Sequence, residues 1–124
     1  MENILLRAGY GKGCVDLLFR RRAKECEENK TEFGVYWLSY AYNSEMAKEE
    51  ARYCLETIEE YNIKMPVYVF YTLDSARYAS SKGCSVKEDQ ITEWMKAFCQ
   101  EMRRAGREAS YYIDIDKYEK DKVY

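Results

Sequence analysis

The residues of this chain that could carry chemistry are carboxylates, hydroxyls and thiols, because its 124 residues include no histidine. Histidine is the usual general base near neutral pH, so any hydrolytic reaction would have to depend on Asp and Glu. The cysteines are odd in number and form no Cys-x-x-Cys pair: Cys14, Cys26, Cys54, Cys84 and Cys99. This pattern predicts free thiols, mostly in the core. Since no histidine can complete a zinc site, we expect no metal and no cofactor.

The composition is that of a folded protein, with 47% hydrophobic and 34% charged residues. The length predicts one domain over residues 1–124. A formal net charge of -2 argues against a nucleic-acid partner, and the run Arg20–Arg22 is interpreted as a solvated helix face. No apolar stretch is long enough to span a membrane and no signal-peptide pattern is present, so we expect no membrane partner and a cytoplasmic location as expressed.

Strands and helices are expected to alternate four times. Short apolar or aromatic runs predict strands over Asn3–Ala8, Phe33–Ala41, Val67–Thr72 and Glu108–Ile113. Apolar residues spaced by three or four predict helices from Val15 to about Asn29, from a cap at Asn43 or Ser44 to about Asn62, and from a capping box at Ser85 to Gly106. A polar loop should follow Thr72, and the tail Asp114–Tyr124 is predicted to be a short helix or a frayed end.

This alternation predicts an α/β fold of four βα units with parallel strands. An eight-stranded β/α barrel takes about 250 residues, so four units correspond to half of a TIM-type barrel. A half barrel leaves its first and fourth strands as open edges, which favours a homodimer. The alternative is a flattened, doubly wound four-stranded sheet with helices on both faces. The sequence leaves both architectures open.

Five segments follow one another along the chain: LRAGYGKG with Asp16 and Phe19 after it, GVYWLSYA, AKEEARYCLETI, PVY followed by DSARYA, and KAFCQEMRRAG. Together they resemble glycoside hydrolase family 25, the muramidases or Chalaropsis-type lysozymes that cut the glycan strand of peptidoglycan. The resemblance covers nearly the whole chain. It implies the second through fifth strands, approximately, of the family's β/α barrel, and a relation to proteins that act on the cell wall.

The resemblance also implies where the family's catalytic carboxylates should lie. One is an aspartate in an Asp-x-Ser context on the first barrel strand, a segment without a counterpart in this sequence. The others belong to the pattern Pro-Val-x-x-Asp-x-Glu, and aligning Pro66 places them on Phe70 and Thr72. Glycoside hydrolysis needs two carboxyl groups, which these residues do not supply. We therefore expect no catalytic residue and an inactive chain, with Phe70 in the core or at an interface.

Three residues are candidates for contact with a glycan. Tyr36 matches a family tyrosine that points into the sugar-binding groove, and Tyr40 follows on the same side of the strand. Asp74 is the third, although an ordinary loop residue is its simpler interpretation. Tyrosines on buried strands also commonly pack in the core with their hydroxyls satisfied. Packing and glycan binding therefore remain alternatives at Tyr36 and Tyr40.

Three functions are compatible with these residues. The first is a non-catalytic, self-associating scaffold related to a peptidoglycan-cleaving lysozyme, and the replaced carboxylates favour an engineered fragment over a degenerate gene. The second is an active muramidase whose carboxylates are Asp74 with Asp114 or Asp116. The third is a module that binds peptidoglycan glycan weakly and has lost its chemistry. The sequence favours the first, because two carboxylates must be held at a defined separation across the scissile bond.

Overall fold

The structure is a computed structural model that describes residues 4–115. Its strands are β1 (Ile4–Tyr10), β2 (Cys14–Val15), β3 (Phe33–Leu38), β4 (Val67–Thr72) and β5 (Ala109–Asp114). Its helices are α1 (Phe19–Glu28), α2 (Ser44–Ile58), α3 (Leu73–Ser81) and α4 (Glu88–Arg104). Most of the predicted tail element, including Asp116, lies outside the described residues.

The strands form one five-stranded sheet in the order β2-β1-β3-β4-β5. The pairs β1/β3, β3/β4 and β4/β5 are parallel, and only the two-residue strand β2 runs antiparallel to its neighbour. Four parallel strands therefore lie side by side in chain order, as they do in a β/α barrel. The predicted α/β class with parallel strands is confirmed, and the strand order matches part of a barrel rather than the doubly wound alternative.

One face of the sheet carries the core. Along β4, Val67, Val69 and Tyr71 are fully buried, whereas the alternate residues are only half-buried. The buried residues of α1, α2 and α4 join those of the strands in one cluster, with Trp37 and Phe98 among its largest fully buried side chains. The opposite side of the sheet, which we call the open face, is formed by Leu5, Arg7, Tyr36, Leu38, Tyr68, Phe70, Thr72, Ser110, Tyr112 and Asp114. No element of residues 4–115 covers its exposed members.

The first predicted helix begins four residues late, because a hairpin precedes it. Cys14 and Val15 pair antiparallel with Tyr10 and Gly9, so the prediction of a helix from Val15 is wrong. The turn depends on two glycines at positive φ, 57° at Gly11 and 82° at Gly13. Side chains other than glycine rarely adopt this conformation. The helix then starts at Phe19, and its buried residues lie on one stripe.

The loop predicted after Thr72 is wrong, because helix α3 starts there. Thr72 is its N-cap residue, with extended backbone dihedrals, and its amide donates a hydrogen bond to Ser75 Oγ at 3.0 Å. Ser85 does not cap α4 as predicted. That helix starts at Glu88, and the Lys87 amide donates to Gln90 Oε1 at 3.1 Å. The predicted cap of α2 is present, since Asn43 Oδ1 accepts a hydrogen bond from the Met46 amide at 2.8 Å.

The helices are too short or too polar to cross a bilayer, a finding that applies to the described residues. The cytoplasmic location stays a prediction.

The core contains one orphaned hydroxyl. Tyr71 is fully buried on β4, and its Oη has no hydrogen-bond partner among the described residues. A buried polar group without a partner costs about 1–3 kcal/mol. We therefore expect Tyr71→Phe to raise the free energy of unfolding by about 1 kcal/mol in urea denaturation monitored by circular dichroism. Tyr112→Phe, at a residue that is 57% exposed, is the control and should change nothing. A loss of stability in Tyr71→Phe would show that the hydroxyl has a stabilising partner.

Candidate functional site

A row of aromatic rings crosses the open face. The ring of Phe70 stacks on Tyr36 with centroids 4.5 Å apart and planes 17° apart, and it meets Tyr112 at 5.7 Å. The strand register places Phe70 opposite Tyr112, and Tyr36, which is paired with Tyr68 two residues earlier on β4, reaches Phe70 diagonally. Phe70 is half-buried, so the prediction that it belongs to the core is wrong for the single chain. Its position at an interface stays a prediction.

The two strand positions that the family resemblance assigns to carboxylates both lie on the open face. Phe70 stands in the aromatic row, and Thr72 ends β4 as the N-cap of α3. In the sheet register Thr72 is paired with Asp114, the last residue of β5. Asp114 is exposed on the same face and at the same end of the sheet. Asp114 supplies one carboxylate beside Thr72, which has none, whereas glycoside hydrolysis needs two carboxyl groups.

Next to Tyr36, β1 carries an ion pair between Arg7 and Asp16. Arg7 Nε donates to Asp16 Oδ2 at 2.7 Å, and the Leu18 amide donates to Asp16 Oδ1 at 2.9 Å. Burial favours the neutral acid, but the hydrogen bonds from Leu18 and Arg7 outweigh it and lower the pKa of Asp16. Near neutral pH the carboxylate is therefore ionised and accepts two hydrogen bonds, which makes it unsuited to donate a proton to a leaving group.

The three glycan-contact candidates occupy two places. Tyr36 lies in the aromatic row of the open face, half-buried. Tyr40 follows β3, and Asp74 lies in the first turn of α3, so both stand at the carboxyl ends of the strands. Burial raises the pKa of Tyr40, and the negative charge of Asp74 adds to this shift. Their part in glycan binding stays a prediction.

Tyr40 also lines a pocket that sequence reasoning missed, which we call the rim pocket. Its volume is about 510 Å³, and it is lined by Tyr10, Gly11, Lys12, Cys14, Tyr40, Met46, Glu49, Glu50 and Tyr78. The ring of Tyr40 meets Tyr10 edge-on at 6.2 Å and Tyr78 at 5.4 Å. This size and the few polar groups among aromatic rings are typical of small-molecule sites.

Glu50 is the buried acid of the rim pocket. It is 3% exposed and accepts hydrogen bonds from Ser39 Oγ at 2.7 Å and from the Tyr40 amide at 2.8 Å. Burial outweighs these bonds and raises the pKa of Glu50 to about 8. Its spacing could have identified it, because Glu50 lies four residues from both Met46 and Cys54 on the apolar stripe of α2.

Residues 4–115 contain neither a metal-binding cluster nor a disulfide. No group of three metal-ligating side chains occurs there. All five cysteines are free, three of them are buried, and Cys14 is exposed. Burial raises the pKa of Cys54 to about 12 and that of Cys99 to about 11, so both remain thiols at neutral pH.

Comparison with known proteins gives one family and one fold. Residues 1–123 match the family model of glycosyl hydrolases family 25. No curated protein sequence matches the chain. The modular autolysin LytC from Streptococcus pneumoniae, solved at 1.6 Å resolution, is 22% identical with a TM-score of 0.76. The structure of LytC in complex with a synthetic peptidoglycan ligand is also 22% identical, with a TM-score of 0.73. A family 25 glycosyl hydrolase from Bacillus anthracis is 16% identical, with a TM-score of 0.68.

These structures extend well beyond the region that they share with this chain. Each alignment covers 91% of the chain, but only 26% of LytC and 50% of the Bacillus anthracis protein. At these identities the likeness shows the fold alone.

Proposed function

Because this chain belongs to glycosyl hydrolase family 25, we propose that it is a non-catalytic relative of the family's peptidoglycan-cleaving muramidases that associates with itself through the open face. One observation supports both parts of the proposal. The strand positions at which the family resemblance expects carboxylates carry Phe70 and Thr72, and Phe70 forms part of an aromatic row instead.

The open face, as far as the described residues form it, carries no pair of carboxylates on adjacent strand positions. A retaining or an inverting glycosidase needs an acid and a second carboxylate on either side of the scissile bond. On the open face, Asp114 stands beside Thr72, and the Asp16 carboxylate is held by Arg7. Asp74 lies beyond the strand, in the first turn of α3. These three carboxylates stand on three separate segments: β5, the turn before α1, and α3.

Self-association is supported by what the open face exposes. Tyr112 is 57% exposed and Leu5 is 37% exposed, on either side of the stacked rings of Tyr36 and Phe70. Exposed apolar and aromatic side chains grouped on one face are typical of interaction sites. A second copy would bring four more parallel strands, which is the number that an eight-stranded barrel lacks.

The sheet edges fit the same partner. The outer edge of β5 is unpaired among the described residues. On β1, strand β2 pairs only with Gly9 and Tyr10, and the Asp16 amide donates to Ala8 O at 2.9 Å. Within residues 4–115, the stretch from Ile4 to Arg7 therefore has an unpaired outer edge, to which β5 of a second copy can pair.

The association is tested by sedimentation velocity over a range of concentrations. We expect a dimer that dissociates on dilution. Tyr112→Lys places a charge in the aromatic row and should weaken the dimer by at least about tenfold. Tyr111→Lys is the matched control, because this neighbour lies on the other face of β5 and is 38% exposed. A wild-type protein that stays monomeric at every concentration would contradict the proposal.

The absence of catalysis is tested by incubating the protein with insoluble peptidoglycan. We expect no release of reducing sugar at any pH from acidic to neutral. Release that is abolished by Asp74→Asn would show that this carboxylate acts as the catalyst and that the chain is a muramidase. Asp89→Asn, at an exposed residue in the first turn of α4, is the control for a general effect of charge.

A second candidate function is weak binding of peptidoglycan glycan. The position of Tyr40 and Asp74 at the carboxyl ends of the strands favours it, because binding sites combine aromatic side chains with a few polar groups. Co-sedimentation with insoluble cell wall, weakened by Tyr40→Ala and by Tyr36→Ala, would support this function. Equal co-sedimentation of all three proteins would count against these residues.

A further inference from the structure

The rim pocket brings three tyrosine rings around one buried acid. Tyr10 ends β1, Tyr40 follows β3 and Tyr78 lies on α3, so three separate segments contribute a ring each. Their ring centroids are 6.2 Å apart for Tyr10 and Tyr40 and 5.4 Å apart for Tyr40 and Tyr78. Tyr78 is 39% exposed and Tyr10 is 37% exposed, which leaves the pocket accessible to a solute.

The acid of the pocket is held without a counter-ion. Glu50 accepts two hydrogen bonds, from Ser39 Oγ and the Tyr40 amide, and no salt bridge reaches it from the described part of the chain. An ionised carboxylate buried in this way costs free energy unless a cation pairs with it. The free side chain is therefore kept neutral near neutral pH, and a bound cation would stabilise its ionised form.

The tyrosine rings of the pocket already attract cations of the chain itself. The Arg7 guanidinium carbon lies 5.3 Å from the centroid of the Tyr10 ring, and Lys82 Nζ lies 5.5 Å from that of Tyr78. These distances are within the range of cation–π attraction. Inside the pocket the same kind of ring stands beside the carboxyl groups of Glu49 and Glu50, opposed by a single described cation, Lys12.

We propose that the rim pocket binds a small organic ammonium ion, with the rings of Tyr10, Tyr40 and Tyr78 around its cationic group and the carboxylate of Glu50 as its counter-ion. The volume of about 510 Å³ accommodates a small quaternary or primary ammonium compound. The site lies at the strand ends, and it depends neither on self-association nor on the absence of catalysis.

The binding test uses tetramethylammonium chloride as the probe, with an equal concentration of sodium chloride as the salt control and tert-butanol as a neutral molecule of similar shape. Chemical-shift changes in an NMR titration should saturate for tetramethylammonium alone. Tyr78→Ala should weaken binding about fivefold to tenfold, since it removes an exposed ring. Tyr111→Ala, at an exposed tyrosine outside both the pocket and the aromatic row, should leave it unchanged.

The role of Glu50 is tested by proton release. Near neutral pH its neutral carboxyl group must lose its proton to the buffer when the cation binds, so calorimetry in two buffers of different ionisation enthalpy should show release of about one proton per ion bound. Glu50→Gln should abolish the release and weaken binding about tenfold. Lys12→Gln should strengthen binding, because it removes the like charge.

Other titratable groups near Glu50 are controlled by substitution. They are Tyr10, Lys12 and Cys14 around the hairpin, Tyr40 after β3, Glu49 and Cys54 on α2, Tyr71 on β4 and Tyr78 on α3. Glu49→Gln and Cys14→Ser should keep the proton release. Equal responses to tetramethylammonium and tert-butanol would overturn the proposal, as would saturable binding of neutral N-acetylglucosamine in place of the cation. If Glu50→Gln fails to fold by circular dichroism, Tyr78→Ala decides the outcome.

Discussion

Gly9→Ala is expected to lower the free energy of unfolding by about 3 kcal/mol or more, a large part of the stability of a small domain. An added Cβ at Gly9 would stand 2.5 Å from the backbone oxygen of Cys14 and 2.6 Å from Trp37 Cη2 and Cζ3. Neither neighbour can move freely. Cys14 belongs to β2, and Trp37 is fully buried with its Nε1 donating to Gly11 O at 3.0 Å.

Gly34→Ala is the matched control on the neighbouring strand. The Cβ at this position would meet Met65, with Sδ at 3.0 Å, Cε at 3.1 Å and Cβ at 3.2 Å. A methionine side chain is flexible and can shift by a few tenths of an ångström, so we expect a loss of about 1 kcal/mol or less. Urea denaturation of both variants measures the difference. Similar small losses of stability in both variants would show that the hairpin shifts to accept the added Cβ. The close packing of Gly9 against Cys14 and Trp37 would then be unimportant for stability.

The element order could be predicted from the sequence because hydrophobic periodicity reports burial directly. Strand β4 has the bounds expected from Val67–Thr72, and the cap of α2 at Asn43 was identifiable from residue type. The parallel direction of the strands also followed from four consecutive βα units, whereas the choice between a half barrel and a doubly wound sheet needed the observed strand order. What could not be predicted depends on contacts outside these patterns.

Helix α3 and the hairpin show why the sequence was insufficient. Helix α3 is short and rich in serine, and its start depends on the Thr72 amide finding Ser75 Oγ. The hairpin contributes two residues that Gly11 and Gly13 turn back onto β1. Local propensity is weak in both segments, so their structure is decided by capping and turn geometry.

Of the rim pocket, only Tyr40 was named from the sequence, as a candidate for glycan contact. Tyr36 was named from the same strand, but it lies on the open face. The other two rings of the rim pocket, Tyr10 and Tyr78, reach it from separate segments that the fold brings together. Glu50 lies in the apolar stripe of α2, yet the pattern alone does not say whether such an acid is neutral, paired or part of a pocket.

The second large effect is a pH dependence of stability caused by Glu50. Its pKa is raised from the ordinary value of 4.5 to about 8, mainly by burial and against the hydrogen bonds of Ser39 and Tyr40. Below about pH 4.5 the side chain is protonated in both the folded and the unfolded chain. As the pH rises, the unfolded chain releases this proton first, so the folded state becomes less stable by up to about 1.4 kcal/mol per pH unit until the folded pKa is passed.

Other titratable groups should not mask this dependence of folding stability on pH. The pKa of Asp16 is lowered from 3.8, so its contribution is lost only in more acidic solution. The raised pKa values of Cys54 and Cys99, about 12 and about 11, affect stability only above the ordinary thiol pKa of 9.0. Between about pH 5 and about pH 8, Glu50 is therefore expected to dominate the pH dependence among the described groups with shifted pKa values.

Urea denaturation from about pH 5 to about pH 8 should therefore show stability falling by several kcal/mol in the wild-type protein, an order-of-magnitude value. Glu50→Gln should remove most of the fall, because the amide is neutral at every pH and keeps an oxygen that can accept from the Tyr40 amide. Its stability should be close to that of the wild type at the acidic end and higher at the alkaline end. Glu49→Gln, one residue away and half-buried, should retain the wild-type slope. An unchanged slope in Glu50→Gln would assign the pH dependence to another group and remove the reason for a neutral acid in the rim pocket.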